Sequence, residues 1–476
     1  MRPTLLFALL LGVFMGALDN AILAPAIAAI SADFGITPDR LTLAFSIYAV
    51  IYAVAVPILG RLADLWGYKT IFGLSMALFA GGSALSALSG SLEALVGARV
   101  VQALGAGGLF PVAQAVVGAV LPERERGRVL GQILGVYALG NVIGPNLGGF
   151  IVEHFSWHWV FWINVPIGAL GVLLLARETL PRPAIRERID WIGGGLVALT
   201  FSSLVLGIQG LDRIDEVGFA SAGIGGRFAL ALVGGALLYL WERRHPEPIL
   251  DLDLALSPRF LPIWFVSTLV GYALLGGLVF APLYAQVAFL FDAFRAGAIL
   301  NALAVALVFS SAAGGALIHR AGARRLVIVG MGLTALGLGA MTYLGGALAG
   351  LLLGLFLVGL GIGLVQPPIS HLALALAPSG KKGQIAGLVS LTRSLGVAAG
   401  ITLSGVLLAR RTRELAALAP GGFSTPMDMR GSLADAPAFV QAMLKHTLAP
   451  GILDGWRLAF LAALAGLVAA FWIRRD

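Results

Sequence analysis

"GRLADLWGYK", residues 60–69, has a second copy in the same chain. In "GALIHRAGAR", residues 315–324, Gly315, Leu317, Gly322 and Arg324 stand where the first copy has Gly60, Leu62, Gly67 and Lys69, an offset of 255. A longer match runs on at an offset of 256. Leu104, Gly105, Gly107 and Pro111 answer to Leu360, Gly361, Gly363 and Pro367; Pro122, Gly127 and Gly131 answer to Pro378, Gly383 and Gly387. Gly140, Gly144 and Gly149 answer to Gly396, Gly400 and Gly405. Glycine matches alone are easy in a chain with 64 of them. A near-constant offset with prolines and basic loops in step is much harder to obtain by chance.

The repeated unit is built for hydrocarbon. Hydrophobic residues make up 59% of the 476 positions, charged residues only 12%, and the mean hydropathy is +0.93. Soluble domains carry about 25% charged residues. Fourteen apolar segments of roughly membrane-crossing length are read, near 5–30, 41–60, 70–89, 93–120, 129–152, 158–177, 190–210, 227–242, 260–289, 296–318, 326–345, 347–376, 384–409 and 456–473. Their glycine content fits close helix packing in lipid. The fold class is therefore an all-α polytopic membrane protein. There is no cysteine, so disulfides and thiolate chemistry are excluded. The net charge of +8 comes from short basic clusters between apolar runs, which is the pattern of membrane orientation and not of nucleic-acid binding. With the N-terminus inside, the inner connections hold Arg61 and Lys69, Arg124 to Arg128, Arg177 to Arg188, Arg243 and Arg244, Arg320 to Arg325, Lys381 and Lys382, and Arg474 and Arg475. Both termini are expected in the cytoplasm, with no cleaved signal peptide.

The repeat maps spans 1–6 onto spans 9–14 and leaves spans 7 and 8 over. The expected organisation is a six-helix bundle over 1–177, a linker with two extra helices over 178–258, and a second six-helix bundle over 259–476. Two bundles of one topology fit a transporter whose halves rock around a midplane site. The stretch 410–455 reads as an outer loop with one surface helix near 435–447.

These motifs resemble the major facilitator superfamily. "GRLADLWGYK" is similar to its loop between spans 2 and 3. "LVGARVVQALGAGG" (95–108) is similar to its span 4 motif, and "LGNVIGPNLGG" (139–149) to the span 5 motif of its antiporters. "WHWVFWINVPIG" (157–168) and "IDWIG" (189–193) fit the fourteen-span drug:proton antiporter family. "LDNAILAPAIAAI" (18–30) resembles that family's span 1 motif. It keeps the acid but has Ala21, Ala24 and Ala28 where relatives have Thr, Asn and Pro. The resemblance implies a major facilitator fold and proton-coupled multidrug efflux, with the proton gradient as energy source and no cofactor.

Individual residues follow. Asp19 lies about 20 Å along its helix, near the bilayer midplane, where an ionised acid costs about 2.5–3.5 kcal/mol. It is either neutralised as a packing element or a proton carrier in the central cavity. Its repeat partner falls in the acid-free "YALLGG" (272–277), so packing alone does not demand an acid. Arg99 either snorkels to the headgroups or faces the cavity and modulates Asp19. Arg393 is expected to hydrogen-bond between helices. By resemblance Asp64 sits at the N-terminus of span 13, near Gly383, as a latch between the halves. Gly60, Gly67 and Lys69 share its motif, and the second copy has His319 in place of the acid. Gly140, Gly144, Pro145 and Gly149 read as a packing and gating seam, kinked by the proline. Cavity candidates are Phe45, Tyr48 and Tyr52 on one face of span 2, with Tyr284, Asn301, Gln366 and His371 elsewhere. No metal site is expected, since no second histidine stands at ligand spacing from His371.

The leading functional expectation is a monomeric, proton-coupled antiporter that exports lipophilic, cationic small molecules across a bacterial inner membrane. The alternative is an exporter or flippase of a lipid or lipid-linked molecule. An enzyme is disfavoured by the lack of paired His or acids within the spans and of a nucleotide-binding loop.

Overall fold

A computed structural model describes residues 2–36, 38–180, 190–211, 214–246, 248–418 and 438–473. Every regular element among them is helical. In chain order these are α1 (Pro3–Ile22), a 3-10 turn (Ala24–Ala26), α2 (Ile27–Asp33), α3 (Pro38–Trp66), α4 (Tyr68–Ala87), α5 (Leu92–Val120), α6 (Glu123–His154), α7 (Trp159–Trp162) and α8 (Asn164–Ala176). The middle of the chain forms α9 (Trp191–Gly210), α10 (Ile214–Val217), α11 (Gly225–Glu242) and α12 (Leu252–Ala255). The last part forms α13 (Leu261–Leu278), α14 (Ala281–Phe289), α15 (Ala293–Ala298), α16 (Leu300–Ala321), α17 (Ala323–Leu344), α18 (Leu348–Leu376), α19 (Lys382–Leu418) and α20 (Ala438–Ala470). Twelve helices among the described residues are long and apolar enough to cross a membrane. Two more apolar helices, α11 and α13, lie where the sequence places its eighth and ninth segments.

Three expected elements differ in detail. The first segment is not one helix: Pro25 lacks the N–H a helix interior needs, and the chain passes through the turn Ala24–Ala26 before α2 resumes. The ninth is likewise divided, with Pro282 in the first turn of α14. The expected surface helix near 435–447 is not separate. From Ala438 it is the beginning of α20, which contains Pro450 and continues through the last span. An ion pair from Arg411 to Asp454 ties α20 to the extended end of α19, and Arg457 pairs with the same carboxylate from within α20. Positions 181–189, 435–437 and 474–476, which carry part of the expected basic clusters and of that helix, lie outside the described residues.

The sequence repeat is a repeat of packing. Gly67 joins α3 to α4 at φ +93°, and Gly322 joins α16 to α17 at φ +81°, a region that favours glycine. Gly105 of α5 packs on the backbone of Ser75 and Phe79 in α4; its copy Gly361 of α18 packs on Gly330 and Thr334 in α17, the positions 255 further on. Gly140, Gly144 and Gly148 of α6 lie against Ala17, Ala21 and Ile22 of α1. Their counterpart is Gly396 of α19 against Thr268 and Tyr272 of α13. Gly149 has nothing within 4 Å of an added Cβ, so it is not part of that seam; the close approach recurs every fourth residue, and Gly149 falls one position past it. Pro145 lies within α6 and is exposed, on the side away from α1.

The first six helical segments pack among themselves, chiefly α1 with α6 and α8, and α5 with α3 and α4. The last group packs α18 with α16 and α17, and α13 with α19 and α20. Between the groups α3 meets α19 and α6 meets α16. These crossings are related by the repeat. Gly60 of α3 approaches Gly383 of α19, while Gly315, the copy of Gly60, approaches Gly127, the copy of Gly383. Gly387 likewise lies on Val56, as Gly131 lies on Ser311. The two groups are thus related by a pseudo-two-fold axis. The pair α9–α11 packs together outside it, with α9 against both α3 and α19.

A leucine at Gly105 would overlap the Ser75 and Phe79 backbones, and overpacking of this kind costs about 1–3 kcal/mol. Gly105→Leu is expected to lower the melting temperature in detergent by several degrees. Gly332→Leu, where a Cβ meets nothing within 4 Å, should leave it unchanged.

Candidate functional site

Asp19 stands near the end of α1 with no exposed surface. Its Oδ2 accepts from Arg99 Nη1 at 2.8 Å, and its Oδ1 accepts from Gln102 Nε2 at 2.8 Å and Asn164 Nδ2 at 3.3 Å. Arg99 and Gln102 are one turn apart on α5, and Arg99 also donates to Gln102 Oε1 at 2.6 Å. Gln102 Nε2 donates further, to Ser83 Oγ on α4 at 2.6 Å. Four helices, α1, α4, α5 and α8, are therefore joined by one hydrogen-bond network centred on this carboxylate. The cluster lies among the first six segments and not in a cavity between the two groups. That corrects the expected placement of Asp19, and of Arg99, which neither snorkels nor faces the cavity: it is 3% exposed and paired. The reason is that a buried carboxylate requires donors, and the donors here project from α5 and α8.

The cluster has one aromatic exit. The Arg99 guanidinium lies 3.9 Å over the Tyr48 ring, and Tyr48 is stacked on Tyr52 at 6.4 Å between centroids. Tyr52 lines a narrow cleft between α1, α3, α5 and α6 whose wall also includes Gly16, Asn20, Leu109, Phe110 and Tyr137. Arg393 of α19 covers two of those rings, 4.4 Å over Phe110 and 5.1 Å over Tyr137.

Asp64 closes one end of the molecule. Its two oxygens accept from the backbone N–H groups of Gly383 and Gln384, at 2.8 and 2.9 Å, in the first turn of α19. A helix N-terminus carries partial positive charge and unpaired donors, so it suits a carboxylate. Tyr68 donates to the same carboxylate at 2.8 Å. The connection after α11 reinforces this end. Lys381 pairs with Asp251, Gln384 Nε2 donates to the Ile249 carbonyl, and Glu242 accepts from the Leu250 N–H. Asp190 caps α9 through the Gly193 N–H and accepts from Trp241 Nε1. Burial pushes the Asp251 carboxyl up, but the Lys381 contact and the Leu254 N–H outweigh it and hold it below the ordinary carboxylate value.

With this geometry the chain can be set beside known proteins. The family model of the Major Facilitator Superfamily matches residues 9–401. The chain belongs to that superfamily. It is a multi-pass membrane transporter, and members of this family are not enzymes. It is 32% identical over 324 residues to Multidrug resistance protein 3 of Bacillus subtilis, covering 67% of this chain but 62% of that protein. It is 30% identical to the multidrug transporter protein MdtP of the same organism, over 87% of this chain and 76% of that one. To a triacylglyceride transporter of Mycolicibacterium smegmatis it is 31% identical, over 88% and 79%. The crystal structure of the human organic anion transporter MFSD10 (TETRAN) superposes with a TM-score of 0.64 over 97% of this chain and all of that one. At 18% identity that likeness shows the fold alone.

The transporter does not bring all the other candidates to the cleft. Lys69 donates to the carbonyls of Ala176 and Glu178, tying α4 to the end of α8. Phe45 packs with Leu18, Ile22 and Phe161. Tyr284 is buried against Trp456, 4.8 Å between ring centroids. Asn301 is exposed at the start of α16, and Gln366 is buried in α18. His371 lies at the Asp64 end, its ring 5.9 Å from that of His319 and its Nε2 4.0 Å from Glu123. Among the described residues no group of three or more side chains could hold a metal ion. The residues that sequence reasoning missed are Gln102, Asn164 and Ser83. Each is a polar side chain in an apolar segment, and Gln102 stands one helical turn from Arg99.

Two measurements follow. Removing one member of a buried ion pair costs about 3–5 kcal/mol, because the other charge is left without its partner. Arg99→Gln should therefore melt well below the wild type, and adding Asp19→Asn to it should recover part of the loss. For Asp251 the folded value is depressed, so its contribution is present above about pH 4, the unfolded value, and is lost as pH falls through the folded one. Melting curves of Asp251→Asn should show less loss of stability on acidification through that window than the wild type.

Proposed function

We propose that this transporter is a proton-coupled antiporter that exports lipophilic small molecules across a bacterial inner membrane. In this reading fourteen spans are arranged as six, two and six, both termini are cytoplasmic, and the protein works as a monomer on the proton gradient. The observation that carries it is Asp19, a buried acid held by Arg99 and linked through Tyr48 and Tyr52 to a narrow cleft. Protonating Asp19 removes the charge that fixes Arg99. Arg99 can then shift on Tyr48, and the cleft wall shifts with it. The Asp64 contact with α19 acts as the latch of the cytoplasmic side, made in the geometry described here and broken when the halves rock. Asp19 points at Arg99 and not into the cleft, so a cationic cargo gains no attraction from it in this state.

A second reading, export of a lipid, is favoured by the apolar cleft wall of Val13, Ala17, Ala106 and Leu109. The relative named for triacylglyceride transport also aligns over most of this chain. Proteoliposomes with an imposed pH gradient separate the two. A panel of lipophilic dyes should accumulate against the proton gradient in the wild type and at least tenfold less with Asp19→Asn. Undiminished accumulation by Asp19→Asn would sink the role given to that acid. Movement of a fluorescent triacylglycerol with no dye movement would favour the second reading.

A further inference from the structure

Arg393 is 6% exposed, and among the described residues no carboxylate pairs with it. That sets it apart from Arg99, the other arginine deep in a span, which has Asp19. Arg393 is eleven residues into α19, about 16 Å along the helix at 1.5 Å per residue, so it stands near mid-membrane. An ionisable residue at that depth without a counter-charge marks a functional site.

Its position in the repeat is more telling. Arg393 and Tyr137 are equivalent at the offset of 256, and they touch, with the guanidinium 5.1 Å from the Tyr137 ring centroid. Gln114 and Ser370 are equivalent at the same offset and also touch, Gln114 Nε2 donating to Ser370 Oγ at 3.0 Å. Equivalent residues can touch only on the pseudo-two-fold axis. Arg393 therefore lies on the axis, where the two halves move against each other and alternating-access sites are built. The first half has a tyrosine at this position, so the packing of the fold does not require the charge.

The surroundings define what it could hold. Phe110 and Tyr137, the rings beneath the guanidinium, also line the narrow cleft. Tyr52 in the cleft wall interacts with Arg393 and Ser394. Asn20 adds an amide to the wall, while Leu109 and Ala106 make it apolar. The two nearby spans' acids are already engaged, Asp19 by Arg99 and Asp64 by the α19 N-terminus. The charge resting on the rings of the cleft wall is thus positive. A guanidinium stacked on rings keeps the edge donors that Tyr52 does not engage for a planar or tetrahedral oxyanion.

We infer that Arg393 is the cargo's charge-recognition residue, and that the cargo is an amphiphile with an oxyanion (carboxylate, sulfonate or phosphate) held by Arg393 and an apolar body held against Phe110 and Leu109. This rests on the export reading for the word cargo, but the site itself is tested without a proton gradient. Protein in phosphatidylcholine nanodiscs is titrated with pyrenebutanoate and with pyrenebutyl-trimethylammonium, the same fluorophore with opposite charges, against empty nanodiscs. A third arm uses pyrene-labelled phosphatidate in the disc, to tell a lipid headgroup from a soluble acid. One of the two anions should bind at least tenfold more tightly than the cation. Arg393→Gln should abolish that preference, and Arg393→Lys should keep part of it. Equal or tighter binding of the cation by the wild type overturns the inference, whatever the variants do. So does an intact anion preference in Arg393→Gln. Anion binding without proton-driven transport would leave this site standing and remove the coupling mechanism instead.

Discussion

A charged side chain in hydrocarbon has no water to turn to, so other parts of the protein must answer it. Three charges are answered in three ways here. Asp19 is met by side chains from α5 and α8, and Gln102 extends the network to Ser83 of α4, which binds α1, α4, α5 and α8 into one unit. Asp64 is met by backbone, the open first turn of α19, which joins opposite halves of the molecule. Arg393 is met by the faces of Phe110 and Tyr137 and by Tyr52, with no carboxylate among the described residues. The first arrangement is internal to one half, the second crosses between halves, and the third lies between them on the axis.

The buried charges sit where the repeat is broken. Glycines at helix crossings are kept in both copies because backbones must approach closely there, as at Gly60 with Gly383 and Gly315 with Gly127. The charges are not kept. Asp64 is answered by His319, Arg99 by Leu355, Arg393 by Tyr137 and Pro145 by Ile401. Small residues on symmetric seams let two bundles slide or rock as bodies. The asymmetric charges leave the two bundles chemically unlike at otherwise equivalent positions.

The extra helix pair adds a further element. α9 lies on both α3 and α19, and the connection after α11 reaches the same first turn of α19 that Asp64 holds. The closed end is thus held by backbone caps, an ion pair and packing together, so no single substitution carries all of it.

Much of this was legible from residue order. Apolar runs of membrane length follow directly from the thickness of hydrocarbon, and a fixed offset through glycines and prolines follows from reuse of the same crossings. The depth of Asp19 also followed from counting along a helix. Its direction did not: rotation about a helix axis depends on which neighbours supply donors, and Gln102, Ser83 and Asn164 lie 83, 64 and 145 positions away. For the same reason Phe45 and Tyr284 read as cavity aromatics yet pack into cores, while Tyr52 reaches the cleft. The amino-acid sequence by itself determined the solvent, the helices and their two-fold arrangement, because these depend on composition and spacing. Only the tertiary structure decided which charges meet a charged partner and which one rests on the rings of the cleft wall, because that is set by helix rotation and by contacts between segments far apart in the chain.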